Sequence, residues 1–157
     1  MLSTFGAIMG FAAEKVNQTK AAYEALAEKA KDPELKELLQ QLAVEEGKNH
    51  ALMERARREH VTEMILEPIA GLQKKDYQVD VKHIEQKDDA GLLSIALLLQ
   101  TLEKRFFQDA SAKIPLPEVA RIFRKISQKK EENIGRLQDL HGHDLKTSVE
   151  CSPRTLL

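Results

Sequence analysis

The chemistry open to this chain rests on a few residues that fall on one another when positions 84 apart are superposed: Glu46 on Lys130, Asn49 on Asn133 and Val16 on Gln100. A carboxylate and an ammonium at equivalent places in two similar halves are the parts of an ion pair, and the amides around them add donors and acceptors. A dinuclear metal centre asks for something else. It needs hard carboxylate oxygens and imidazoles, with Glu and His three apart on a helix so that both turn the same way. Here Glu46 is followed at that spacing by Asn49, and Lys130 by Asn133. Two unpaired charges inside a bundle would each cost several kcal/mol, whereas a hydrogen-bonded pair is close to neutral for stability. We therefore expect Glu46 and Lys130 to meet, with Gln100, Asn49 and Asn133 completing their hydrogen bonds.

Other residues offer weaker chemistry. A residual metal set would combine Glu46, His50 and Glu103, but His50 is one residue past Asn49, and each step turns a side chain by about 100° around the helix axis. His141, His143 and Asp144 form an HGHD run that reads more simply as a solvated helix end than as a transition-metal site. Tyr23 and Phe107 are equivalent aromatics suited to a core. The single cysteine, Cys151, leaves no internal disulfide and no Cys-x-x-Cys pair for zinc or a rubredoxin-type iron site. The basic run from Arg55 to Arg58 is interleaved with acids and reads as a solvated face, so no nucleic-acid partner is expected.

The elements that must position these residues are helices. Apolar residues recur at three- and four-residue spacing with few breakers, and aromatics are only 4% of the chain. The first helix is expected from a Ser3/Thr4 cap to about Ala30, and the second from Pro33, capped by Asp32, to about Leu66. Residues 68–88 lose the helical period and read as a long crossover, with short apolar alternation at Tyr77, Val79 and Val81. A third helix, about Ala90 to Ala112, carries the most apolar run, GLLSIALLLQTLEKRFF. Its wide apolar face suggests burial on two sides, one of them against a second subunit. A fourth follows the Ile114–Pro117 turn. The halves echo each other at Tyr23/Phe107, Lys29/Lys113, Pro33/Pro117, Glu34/Glu118, Leu38/Ile122 and Leu42/Ile126.

A chain of 157 residues is about one domain, and it buries roughly two-thirds of the surface exposed when unfolded. We expect the bundle over residues 1–145 and a flexible tail over 146–157. With 24 basic against 25 acidic residues there is no global field toward nucleic acid or an anionic membrane. The apolar start, MLSTFGAIMGFAA, has no basic leader and merges into a charged helix, unlike a signal peptide or membrane span. A cytoplasmic, all-α protein is the expectation.

Two short-linked hairpins joined by one long crossover describe a ferritin-like four-helix bundle. The stretch AAYEALAEKAKDPELKELLQQLAVEEGKNH, from Ala21 to His50, resembles the first hairpin of the rubrerythrin family. FFQDASAKIPLPEVARIFRKISQKKEEN, from Phe106 to Asn133, resembles the second more loosely. That family uses the scaffold to hold a carboxylate-bridged pair of metal ions, usually iron, for peroxide reduction or ferrous oxidation, and its bundles commonly form homodimers. The resemblance implies that the metal-ligand places are occupied here by Val16, Glu46, Asn49, Gln100, Lys130 and Asn133. Only one of these is a carboxylate, and Lys130 brings a positive charge that repels cations. The resemblance thus implies a degenerate member with no metal cofactor, acting as an interaction or scaffold protein. The alternative is a non-haem diiron oxidoreductase for oxidative-stress defence, with a displaced iron site. A third possibility is that the emptied interior holds a small ligand or lipid.

Overall fold

A computed structural model describes residues 2–60, 71–79 and 87–143, with side chains up to residue 140. Its helices are α1 (Phe5–Lys29), α2 (Pro33–Glu59), α3 (Asp89–Ser111) and α4 (Pro117–His143), with a short 3-10 turn at Lys74–Asp76. Among the described residues there is no strand, only an isolated bridge between Leu2 and Leu72. α1 packs along α2 and α3 along α4, and these two hairpins meet through more limited contacts.

Local chemistry sets the ends. Thr4 caps α1 by accepting from the Ala7 amide at 3.0 Å, and Asp32 caps α2 by accepting from Leu35 at 2.9 Å, with Pro33 at the first turn, where its missing N–H costs nothing. Asp88 does the same for α3 through Gly91 at 2.9 Å. Asp89, one residue on, reaches the other hairpin: its two oxygens accept from the Lys31 and Asp32 amides at 2.9 and 2.7 Å. The expected starts of the helices thus hold to within a residue. α2 ends earlier than expected, because His60 leaves the helical region at φ −120°, ψ 31°. Residues 61–70, over which its extension to Leu66 was expected, lie outside the described residues, as do much of the crossover, Asp144, Cys151 and the tail.

The core is divided into layers. One apolar cluster gathers Phe5, Ile8, Phe11, Met53, Phe106, Phe107, Phe123 and Ile126. Phe106 sits edge-on to Phe11, Tyr77 and Phe107 at 5.1 to 5.3 Å, a favoured arrangement for aromatic quadrupoles. The other gathers Tyr23, Leu26, Leu35, Leu39, Leu42, Leu92, Leu93 and Leu137. Most buried polar residues fall in the sequence interval between these clusters: Thr19 on α1, Glu46 on α2, Gln100 and Glu103 on α3, and Ser127, Lys130 and Asn133 on α4, with Lys15 one residue before Val16 and Ser111 at the end of α3 as the exceptions. The bundle is therefore apolar at both ends and polar at mid-height. On α3, Leu98 remains 42% exposed beside half-buried Ile95 and Leu102. Among the described residues no helix is long and apolar enough to cross a membrane.

Candidate functional site: a buried charge cluster

The central layer is built by helical register. Glu46 lies one turn beyond Leu42 and Ala43, and Lys130 one turn beyond Ile126 and Ser127, so both follow an inward-facing stripe of their own helix. Their side chains are wholly buried. Lys130 Nζ lies 2.6 Å from Glu46 Oε1 and 3.3 Å from Glu103 Oε1, bridging two carboxyl groups from α2 and α3. Asn49 Nδ2 adds a 3.2 Å hydrogen bond to Glu46 Oε1.

Two of the expected amide partners turn elsewhere. Gln100 Nε2 donates to the Tyr23 hydroxyl at 2.8 Å, and Asn133 Nδ2 donates to Glu45 Oε1 at 2.6 Å. The physical reason is reach along the helix. Asn133 stands one turn past Lys130 and opposite Glu45, while Gln100 stands one turn before Glu103, at the level of Tyr23. Val16 packs in the apolar cluster. Glu103, expected only as a helper to Glu46 and His50 in a residual metal set, stands beside Glu46 as a second buried carboxyl at this level. A sequence signal existed: Glu103 is three residues after Gln100 and so shares its face of α3. Lys15, only 7% exposed, was missed altogether.

His50 does not join this cluster. It lines a surface cleft with Glu14, Asn17, Glu54 and Arg57, while Glu46 and Glu103 stay in the interior. Among the described residues no three His, Cys, Asp or Glu side chains gather in a metal-holding group. A dinuclear metal centre does not fit the side chains present, since the Lys130 ammonium lies against both carboxyl groups and Val16 offers no donor.

The cluster has too many acceptors. Glu46 Oε2, both Glu103 oxygens, Gln100 Oε1 and Asn133 Oδ1 are buried and accept no hydrogen bond, Glu103 Oε1 meeting Lys130 only as a charge contact at 3.3 Å. A proton on Glu103 relieves this, because the acid can donate to Glu46. Burial first, then the negative charge and hydrogen bonding of Glu46, hold the Glu103 carboxyl well above the usual carboxylate range against the opposing pull of Lys130. Burial works against the charge on Lys130, but the neighbouring carboxyls outweigh it and raise its pKa. With that proton on Glu103 the Lys130 ammonium faces a single negative charge, and the trio carries no net charge. Tyr23, buried beside the same carboxyls, is raised well above the ordinary phenol and stays protonated.

Lys15 sits at the edge of this layer, donating from Nζ to the Tyr77 carbonyl. Tyr77 in turn donates to Asp109 at 2.7 Å, so the 71–79 segment is fastened to α1 and α3 beside the cluster. No family model, curated protein or solved structure matches this chain.

Proposed function

We propose that this chain is a rubrerythrin-like, ferritin-like bundle whose central metal place has been taken over by its own lysine, and that it works as a non-catalytic interaction or scaffold protein. One observation carries the reading: Lys130 Nζ lies within 2.6 and 3.3 Å of two wholly buried carboxyl groups. A tethered ammonium competes with any free cation for those oxygens at very high effective concentration. It also removes the charge imbalance that would attract metal. The exposed Leu98, with Ile95 and Leu102 beside it, supports a homodimer through the α3 face. A reducing cytoplasm suits a chain with one cysteine.

The rival reading, a non-haem diiron oxidoreductase with a displaced iron site, draws support from Glu103 as a second buried carboxyl beside Glu46. It needs imidazole and further carboxylate ligands at that level, and His50 lies in the surface cleft instead.

The deciding experiment is anaerobic ferrous titration of protein purified without chelator, with elemental analysis of the same sample. No tightly bound iron is expected. Saturation near two iron ions per chain would replace the scaffold reading with the oxidoreductase.

A further inference from the structure

We propose that Lys15, which lines a surface pocket, is a nucleophilic amine that captures a small aldehyde or ketone as a Schiff base. The site is separate from the Glu46–Lys130 contact, and its failure would leave the proposed function standing.

Lysine is almost never buried unless paired. Lys15 is 7% exposed, and among the described residues it makes no ion pair; its one hydrogen-bond acceptor is the Tyr77 carbonyl. An ammonium would bring three N–H donors to that single acceptor. A neutral amine fits better, giving one hydrogen to the carbonyl and keeping a lone pair free. The groups that act on its charge come from every neighbouring element. Glu46 on α2, Glu103 on α3 and Lys130 on α4 reach it electrostatically. Lys74 of the crossover approaches the same Phe11 ring that Lys15 does, at 5.8 and 5.9 Å. Burial lowers the Lys15 pKa, and Lys130 adds to the effect against Glu103 and Glu46. A proton held on Glu103 weakens that opposition.

Lys15 lines a pocket of about 440 Å³ whose walls include Ala22, Val79 and Leu99, with Gln18, Thr19 and Gln78 supplying polar atoms. Apolar walls suit the carbon body of a small carbonyl compound, and the amide side chains suit its oxygen. In the capture step the Lys15 lone pair attacks the carbonyl carbon and forms the N–C bond. The C–O bond of the carbinolamine then breaks, and the oxygen departs as water with both amine hydrogens, leaving the imine. No oxidant or reductant is consumed.

The test is reductive trapping on the intact chain, with acetaldehyde as probe and cyanoborohydride to fix the imine, followed by peptide mapping at several pH values. Lys15 should be alkylated ahead of the exposed Lys29, Lys48 and Lys129 near neutral pH. The advantage should approach tenfold for each pH unit that separates its titration from theirs. Val79→Trp, which adds bulk to the pocket wall, should suppress labelling of Lys15 and leave the exposed lysines unchanged. Slowest labelling at Lys15, which burial alone would produce, overturns the proposal. So does undiminished Lys15 labelling in Val79→Trp.

Discussion

Glu46 and Lys130 stand 84 residues apart in sequence and 2.6 Å apart in space, with neither side chain reaching solvent. Breaking such a contact from one side is far more costly than removing it whole, because the surviving charge loses its partner in a medium that cannot solvate it. Lys130→Met should therefore destabilise the fold by about 3–5 kcal/mol. Glu46→Leu with Lys130→Met should recover most of that loss, since burial favours the neutral acid form of the Glu103 left behind, which needs no counter-ion. Urea unfolding of the two variants and the parent measures the difference. Equal stability of Lys130→Met and the parent would mean that the contact contributes nothing.

Glu103 gives the fold a pH dependence of defined sign. Its pKa is raised in the folded state, so between the unfolded and folded values the native chain binds more protons than the unfolded one. Stability from this group is complete below the ordinary carboxylate range and is lost as pH rises toward the folded value. The slope reaches at most about 1.4 kcal/mol per pH unit. Glu103→Gln keeps the shape and cannot ionise. It should flatten the decline as pH rises from about 5 to 8, the range usually most favourable for folded proteins. Parallel profiles for the two proteins, from urea midpoints across that range, would assign the buried proton elsewhere.

The hairpins were legible because they rest on local, repeated signals. Asp32-Pro33 marks a helix start whatever surrounds it, and the inward stripes of α1 and α4 are periodic in the sequence itself. The facing of residues 46 and 130 was also readable, since a duplicated unit places equivalent positions opposite each other. What the repeat concealed was everything that breaks it. Glu103 is equivalent to Thr19 and Lys15 to Leu99, so neither drew notice as half of a matched pair. Lys15 owes its burial to the 71–79 segment, which lies across it and supplies the Tyr77 carbonyl. That contact spans 62 residues and has no periodic signature. Hydrogen-bond direction was equally hidden: nothing local tells Gln100 to choose Tyr23 over the central carboxyls.

The junction between hairpins depends on Asp89. Its carboxylate accepts from two successive backbone amides in the turn between α1 and α2, at 2.9 and 2.7 Å, and thereby ties that turn to the start of α3. Charge-assisted bonds are stronger than neutral ones, but this site is partly solvated, which reduces the loss on removal. Asp89→Ala should cost about 1–2 kcal/mol. Asp89→Asn, which keeps one acceptor, should fall between that variant and the parent. Amide hydrogen exchange at Lys31 and Asp32 should accelerate in both. Unchanged exchange there would show that the turn holds without Asp89.

The crossover is fastened by Tyr77, and its two contributions can be separated. The hydroxyl donates to Asp109 at 2.7 Å, while the ring stands edge-on to Phe106 at 5.3 Å. Burial first, then the bond to Asp109, raises the Tyr77 pKa, so the phenol stays a donor throughout the ordinary range. Tyr77→Phe removes only the hydroxyl and should cost about 1–2 kcal/mol, because the bond is made to a charged group. Tyr77→Ala removes the ring as well, opens a space among aromatics, and should cost about 3–5 kcal/mol. The backbone carbonyl that accepts from Lys15 survives in both. Limited proteolysis between α2 and α3 should therefore speed up modestly in Tyr77→Phe and sharply in Tyr77→Ala. Equal cleavage rates in all three proteins would show that the segment is held by its backbone contacts to Lys15 and Arg105 rather than by the tyrosine.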